Sequence, residues 1–177
     1  MDCNPELIAA AQNNTAKLGF SDRFALHTGE LADTRFLENL RMEASPVQLV
    51  MANPPWRLVG SGRLPATEAR RKALFGDKGT FPLFTSAASS LLEEDGRFAC
   101  IISPDRLQDM LAALDGAGLT PYLLQYIHKQ KTSPATFVLI EARKGAHAKP
   151  SVAEPIALYG PERFFTLESL AFCPFLR

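Results

Sequence analysis

The tetrapeptide Asn53-Pro54-Pro55-Trp56 constrains this chain more than any other stretch. It follows Val47-Gln48-Leu49-Val50-Met51-Ala52, a short apolar run that reads as a buried strand. The two prolines must end that strand, because neither carries an N–H to continue a ladder. Each also pushes the residue before it into extended backbone, so Asn53 and Pro54 are stiff before any ligand arrives. Three groups are thereby held in a fixed relation: the Asn53 amide oxygen, the Pro54 carbonyl and the flat face of Trp56.

Those groups suit a planar nitrogen. The exocyclic amine of adenine is a poor nucleophile because its lone pair is delocalised into the ring, and its two N–H groups call for two acceptors. The Asn53 side-chain oxygen is one, and the Pro54 carbonyl is a natural second. Trp56 offers a face on which a flipped base can stack, worth about 1–3 kcal/mol. Pro-Pro after a strand is otherwise a plain turn, and an isolated Trp is otherwise core. The position directly after an apolar run favours the site reading.

Asn-Pro-Pro-aromatic at the end of a fourth strand resembles the catalytic motif of class I, S-adenosylmethionine-dependent amino methyltransferases. More narrowly, the chain resembles the bacterial tRNA (adenine-N6)-methyltransferases that act on valine tRNA beside the anticodon. Three further stretches carry the narrower likeness: Asp2-Cys3-Asn4-Pro5-Glu6-Leu7, Phe137 to Lys144, and the tail from Leu158-Tyr159-Gly160-Pro161 through Phe165-Thr166 to Leu170-Ala171-Phe172. The resemblance implies an α/β fold, a Rossmann-like sheet with helices on both faces and an antiparallel 6–7 hairpin at one edge. It implies Asn53, Pro54, Pro55 and Trp56 as catalytic residues and S-adenosylmethionine as cofactor. Asp2 matches the acidic residue that takes the ribose hydroxyls, Glu30 the one that meets the adenine amine, and Leu31 packs on that ring. Read without the resemblance, Asp2 is a terminal residue and Glu30 a solvated loop residue.

One part of the pattern is missing. The family's Gly-rich cofactor loop lies upstream of the position matched by Asp2, where backbone must approach the methionine part closely. No G-x-G follows an early strand here, and Gly60-Ser61-Gly62 lies after the motif. The chain therefore resembles a family member lacking strand 1 and most of strand 2. In the family order 3-2-1-4-5-7-6, that loss leaves strand 4 with an unpaired edge, which invites a gap or self-association.

Composition fits one ordinary domain over residues 1–177: 46% hydrophobic, 21% charged, net charge zero. Zero net charge excludes a generic polyanion binder, so any RNA contact must come from a local patch. The stretch 57–80 supplies one, as a long basic substrate loop with Arg57, Arg63, Arg70, Arg71 and Lys72 as RNA-binding residues. Cys3, Cys100 and Cys173 are scattered and read as reduced thiols of a cytoplasmic protein, and His27, His128 and His147 form no metal cluster. No run is long enough to span a membrane.

Along the chain, Asn4 and Pro5 open a helix that Gly19 stops. Arg23 to Thr28 reads as a strand, and Asp33 or Thr34 caps a helix to about Met42. A helix from Thr80 to about Leu92 follows the basic loop. Glu93 to Gly96 is a turn, Arg97 to Ser103 a strand, and Ser103-Pro104 begin a helix to about Gly116. Tyr122–His128 and Thr136–Arg143 are paired strands. Residues 144–177 form a connector and an apolar tail, with Pro155 to Tyr159 a further strand and the tail docked on the core.

The expected activity is methyl transfer to the N6 amine of adenine in tRNA. The alternatives are a protein glutamine amide, the N2 amine of guanine in ribosomal RNA, or an inactive RNA-binding fragment. The glutamine enzymes resemble Asn-Pro-Pro-Tyr followed by Ile, whereas Arg57-Leu58-Val59 follows here.

Overall fold

The computed structural model describes residues 1–44, 46–58, 65–145, 149–162 and 164–173. Gly60-Ser61-Gly62, Arg63, His147 and Phe175 lie outside them. The chain divides into two compact units, Met1–Ala44 and Ser45–Arg177.

In the first unit, helix α1 (Pro5–Lys17) starts where the Asn4 side chain accepts from the Glu6 N–H. It ends at Gly19, whose φ of +71° is open to glycine at little strain. Arg23 to Thr28 does not form the expected strand. Ser21–Arg23 is a 3-10 turn, and only Thr28 pairs, through a parallel bridge to Asp2. Helix α2 (Thr34–Ala44) is capped by Asp33, whose Oδ1 accepts from the Arg35 and Phe36 N–H groups.

The second unit is a sheet with helices. Its strands are β1 (Val47–Ala52), β4 (Leu92–Ile102), β5 (Leu119–His128) and β6 (Ala135–Lys144), with short β7 (Ser151–Val152) and β8 (Ile156–Ala157). The order is β1-β4-β6-β5, with β7 and β8 both parallel to β5. β1 and β4 are parallel, and β6 enters antiparallel to both β4 and β5. That is the 4-5-7-6 half of the order that the resemblance implies. Among the described residues β1 pairs only with β4, and Met51 and Leu49 on it are exposed.

Helix α4 (Thr80–Leu91) and helix α5 (Leu107–Gly116) pack on this sheet. Their inner faces, Phe81, Ala88, Met110 and Leu114, meet Phe98, Ile102, Val138 and Ile140, all buried. Each large side chain there contributes roughly 1.5–3 kcal/mol by leaving water. The buried Thr85 hydroxyl lies 3.0 Å from both Phe81 O in its own helix and Ala113 O of α5, and its one proton goes to either carbonyl, so the hydroxyl is satisfied at the helix contact.

Three further expectations are corrected. The expected turn at Glu93–Gly96 lies inside β4 as an irregularity: Val47 faces Leu92 but Leu49 faces Arg97, and Asp95 takes φ +62°. The stretch 57–80 is not a plain loop. It holds β2 (Arg57–Leu58), helix α3 (Glu68–Leu74) and β3 (Phe75–Gly76), with β2 and β3 paired in parallel. The tail docks only in part. In helix α6 (Leu167–Phe172), buried Ser169 donates to Leu158 O, while Phe164, Leu167 and Phe172 stay exposed. No helix among the described residues is long and apolar enough to cross a membrane.

Candidate active site

β1 delivers Asn53 to the C-terminal end of the sheet, one residue beyond the Ala52↔Cys100 pair. Asn53 is exposed, and its side chain has no hydrogen-bond partner among the described residues. Pro54 is fully buried, which anchors the segment in the core. Its carbonyl accepts from no described residue. Two acceptors therefore stand on a stiff segment without donors, the arrangement that a bound amine would satisfy.

Trp56 is held on several sides. Its ring meets the Phe137 ring edge-on, at 6.1 Å between centroids. The Arg57 guanidinium lies over it at 5.3 Å. Its backbone carbonyl accepts from Arg106 Nη1 at 2.8 Å, across fifty positions of sequence. Arg106 follows β4 in the 3-10 turn Pro104–Arg106 and is 4% exposed. Its Nε donates to Asp109 Oδ2 at 2.8 Å, and its guanidinium sits 4.6 Å from the Phe81 ring centroid.

Pro55 is approached from the other side. A Cβ at Gly76 would stand 2.6 Å from the Pro55 carbonyl oxygen and 2.6 Å from Thr80 Oγ1. Only glycine fits there without displacement. Thr80 Oγ1 accepts from the Asp77 N–H at 2.9 Å and donates to Asp77 Oδ1 at 3.1 Å, which closes the turn from β3 into α4.

The basic residues are gathered, not strung along a loop. Thr67 caps α3, and the helix runs straight into Phe75, whose register partner is Arg57. Arg70, Arg71 and Lys72 are all exposed on α3. Arg71 is paired with Glu68, and that hydrogen bond holds the Glu68 carboxyl below its usual range. Arg57, Arg70 and Lys72 carry no such partner among the described residues. The structure thus groups four of the five expected basic residues, and Arg63 lies outside the described residues.

In the first unit, Asp2 is bridged to Thr28, two positions before Glu30. The Asp2 N–H donates to His27 O and the Gly29 N–H to Asp2 O, both at 3.2 Å. Asp2 Oδ1 accepts from the Asn4 N–H at 2.8 Å, leaving its second oxygen for another donor. Leu31 is half-buried and Glu30 exposed. A carboxylate oxygen open to a donor, with an acidic and an apolar residue two and three positions past its bridge partner Thr28, has the kind of chemistry that the nucleoside half of S-adenosylmethionine calls for. Among the described residues no three His, Cys, Asp or Glu side chains gather as a metal site.

Sequence reasoning missed Arg106 and Gly76. The Arg106–Asp109 spacing reads as an ordinary surface pair on a helix, and nothing local shows that the guanidinium turns inward.

No protein-family model and no curated protein matches the chain. Solved structures do. A predicted O-methyltransferase from Agrobacterium tumefaciens superposes with a TM-score of 0.69 at 20% identity, covering 98% of this chain and 73% of that one. The M protein of the type I restriction enzyme EcoKI gives 0.55 at 16% identity, over 98% of this chain and 38% of its own. A family 2 O-methyltransferase from Planctomyces limnophilus gives 0.51 at 16%, over 81% and 41%. The chain thus spans from about two-fifths to about three-quarters of these proteins. With the 4-5-7-6 sheet order already in view, these likenesses show that the chain has the class I methyltransferase fold.

Proposed function

We propose that this chain serves S-adenosylmethionine-dependent methyl transfer to the N6 amine of an adenine in tRNA. The carrying observation is the pair of unpartnered acceptors, Asn53 Oδ1 and Pro54 O, at the end of β1 beside a held indole ring. The adenine amine donates one N–H to each acceptor. Both bonds draw the lone pair toward the nitrogen. The proton lost afterwards goes to solvent, since the nitrogen is cationic by then and needs no strong base. A base stacked on Trp56 displaces Arg57 from the ring toward the phosphate, and Arg70, Arg71 and Lys72 meet the backbone on either side.

S-adenosylmethionine supplies, when bound, a methyl group on a sulfonium. Asp2 takes the ribose hydroxyls, Glu30 the adenine amine, and Leu31 covers the ring. The methionine half has no glycine-rich cradle in this sequence.

The test is transfer of labelled methyl from S-adenosylmethionine to unmodified tRNA, followed by digestion to nucleosides. Label is expected in N6-methyladenosine. Label in DNA, in guanine or in a protein glutamine overturns the acceptor assignment. RNA binding without S-adenosylhomocysteine binding by calorimetry marks the chain as an inactive binding fragment.

A further inference from the structure

A buried cation needs a reason. Arg106 is 4% exposed, yet its only charge partner among the described residues is Asp109, whose own side chain is 63% exposed. Buried ion pairs are weak contributors to stability, and apolar replacements of similar volume are often as stable or more so. What the guanidinium does reach is informative. Its Nη1 takes the Trp56 carbonyl, its Nε takes Asp109 at the start of α5, and its face lies on Phe81 of α4. One rigid fork therefore joins the motif to both helices of the core.

We infer that Arg106 is a positioning residue that aims the acceptors of the Asn53-Pro54-Pro55-Trp56 segment. The inference rests on the acceptor reading of Asn53 and Pro54. The lever is covalent. Peptide planes are fixed, and each proline fixes its own φ. Between the Pro54 carbonyl and the Trp56 carbonyl the soft torsions are ψ of Pro55 and φ and ψ of Trp56, so a tether on Trp56 O narrows the directions open to Pro54 O. Gly76 gives the segment a wall at Pro55, and Arg106 gives it a tether at Trp56. A lysine keeps the charge and can donate to Trp56 O, but as a compact point charge it lacks the planar fork that spans Trp56 O and Asp109 at fixed spacing.

Trp56 is the single tryptophan of the sequence, so its fluorescence reports the segment directly. Arg106→Met fills similar volume and removes the donors. It is expected to keep the far-ultraviolet circular dichroism of the wild type while acrylamide quenching of Trp56 rises severalfold. Arg106→Lys, which retains a donor to Trp56 O, is expected to return most of the native signal. Quenching unchanged in Arg106→Met overturns the inference, and so does a lysine variant no different from the methionine one. If Arg106→Met does not fold, Asp109→Ala takes its place, since it removes an exposed carboxylate and frees the fork. Quenching should then rise about twofold, and no rise overturns the inference.

The kinetic arm is methyl transfer to tRNA. A displaced acceptor should lower kcat about a hundredfold with KM for RNA unchanged. A raised KM at constant kcat overturns the positioning role. If the wild type transfers no methyl to any RNA, the methylation reading fails, while the fluorescence still decides whether Arg106 holds the segment.

Discussion

Asn53 is exposed and its side chain has no hydrogen-bond partner among the described residues, so removing that side chain leaves no buried group unpaired. Asn53→Ala should leave stability within about 0.5 kcal/mol in urea melts. It should lower kcat by two orders of magnitude or more, with tRNA affinity unchanged. Equal losses in both would show that Asn53 binds and does not activate. Cys100 makes a different prediction. Burial in the sheet pushes its thiol from 9.0 up to about 12. The folded chain keeps that proton in a range where the unfolded chain releases it. Stability from the neutral thiol is thus complete below pH 9 and is lost as pH rises toward about 12, by about 1.4 kcal/mol per pH unit. Urea melts at about pH 8 and about pH 10 should show a smaller drop for Cys100→Ala than for wild type. Equal drops would acquit Cys100. At this scale the sequence was legible where covalent structure decides, as at the two prolines. It was mute where a side chain turns inward to a distant partner, as at Arg106, because i,i+3 spacing to Asp109 describes a solvated helix face equally well.

Elements were legible in proportion to their hydrophobic periodicity. The boundaries of β1, α4 and α5 follow from runs such as Val47–Ala52, whereas α3 between Thr67 and Phe75 has no buried residue and so no apolar signal. Its capping threonine was the only cue. Glu93–Gly96 carries turn composition and does turn, but within a strand, because pairing with β1 resumes at Arg97. The β2–β3 pair makes a firm prediction. Gly76→Ala drives a Cβ against the Pro55 carbonyl oxygen, a backbone atom that cannot rotate away. Methyl transfer should fall at least tenfold and Trp56 emission should shift, with the fold intact by circular dichroism. Unchanged emission would show that the segment gives way freely. Lys144 offers a second check. Its Nζ donates to the Ser89 and Leu92 carbonyls at 2.8 Å each, closing the C-terminal end of α4 from β6. Lys144→Met should lose about 1–2 kcal/mol of stability in chemical denaturation.

The whole molecule is electrically neutral, so the proposed attraction to RNA must be local. Among the described residues Arg57, Arg70 and Lys72 form no ion pair as close as Arg71–Glu68. Replacing Arg70 and Lys72 together with alanine should reduce the slope of log K against log salt by about 2. An unchanged slope would place the RNA elsewhere. The strand order has a consequence for how the chain is made. β6 lies between β4 and β5 in space but follows both in sequence. As the polypeptide leaves the ribosome, β1 and β4 can pair early, yet the middle of the sheet stays empty until residue 144 is synthesised. A nascent chain halted before Ala135 presents β4 with one bare, apolar edge and helices with nothing to close on. Such stalled chains should bind chaperone and aggregate, while chains extended past Lys144 become soluble and resist protease. The last long strand to be translated is the one that completes the centre.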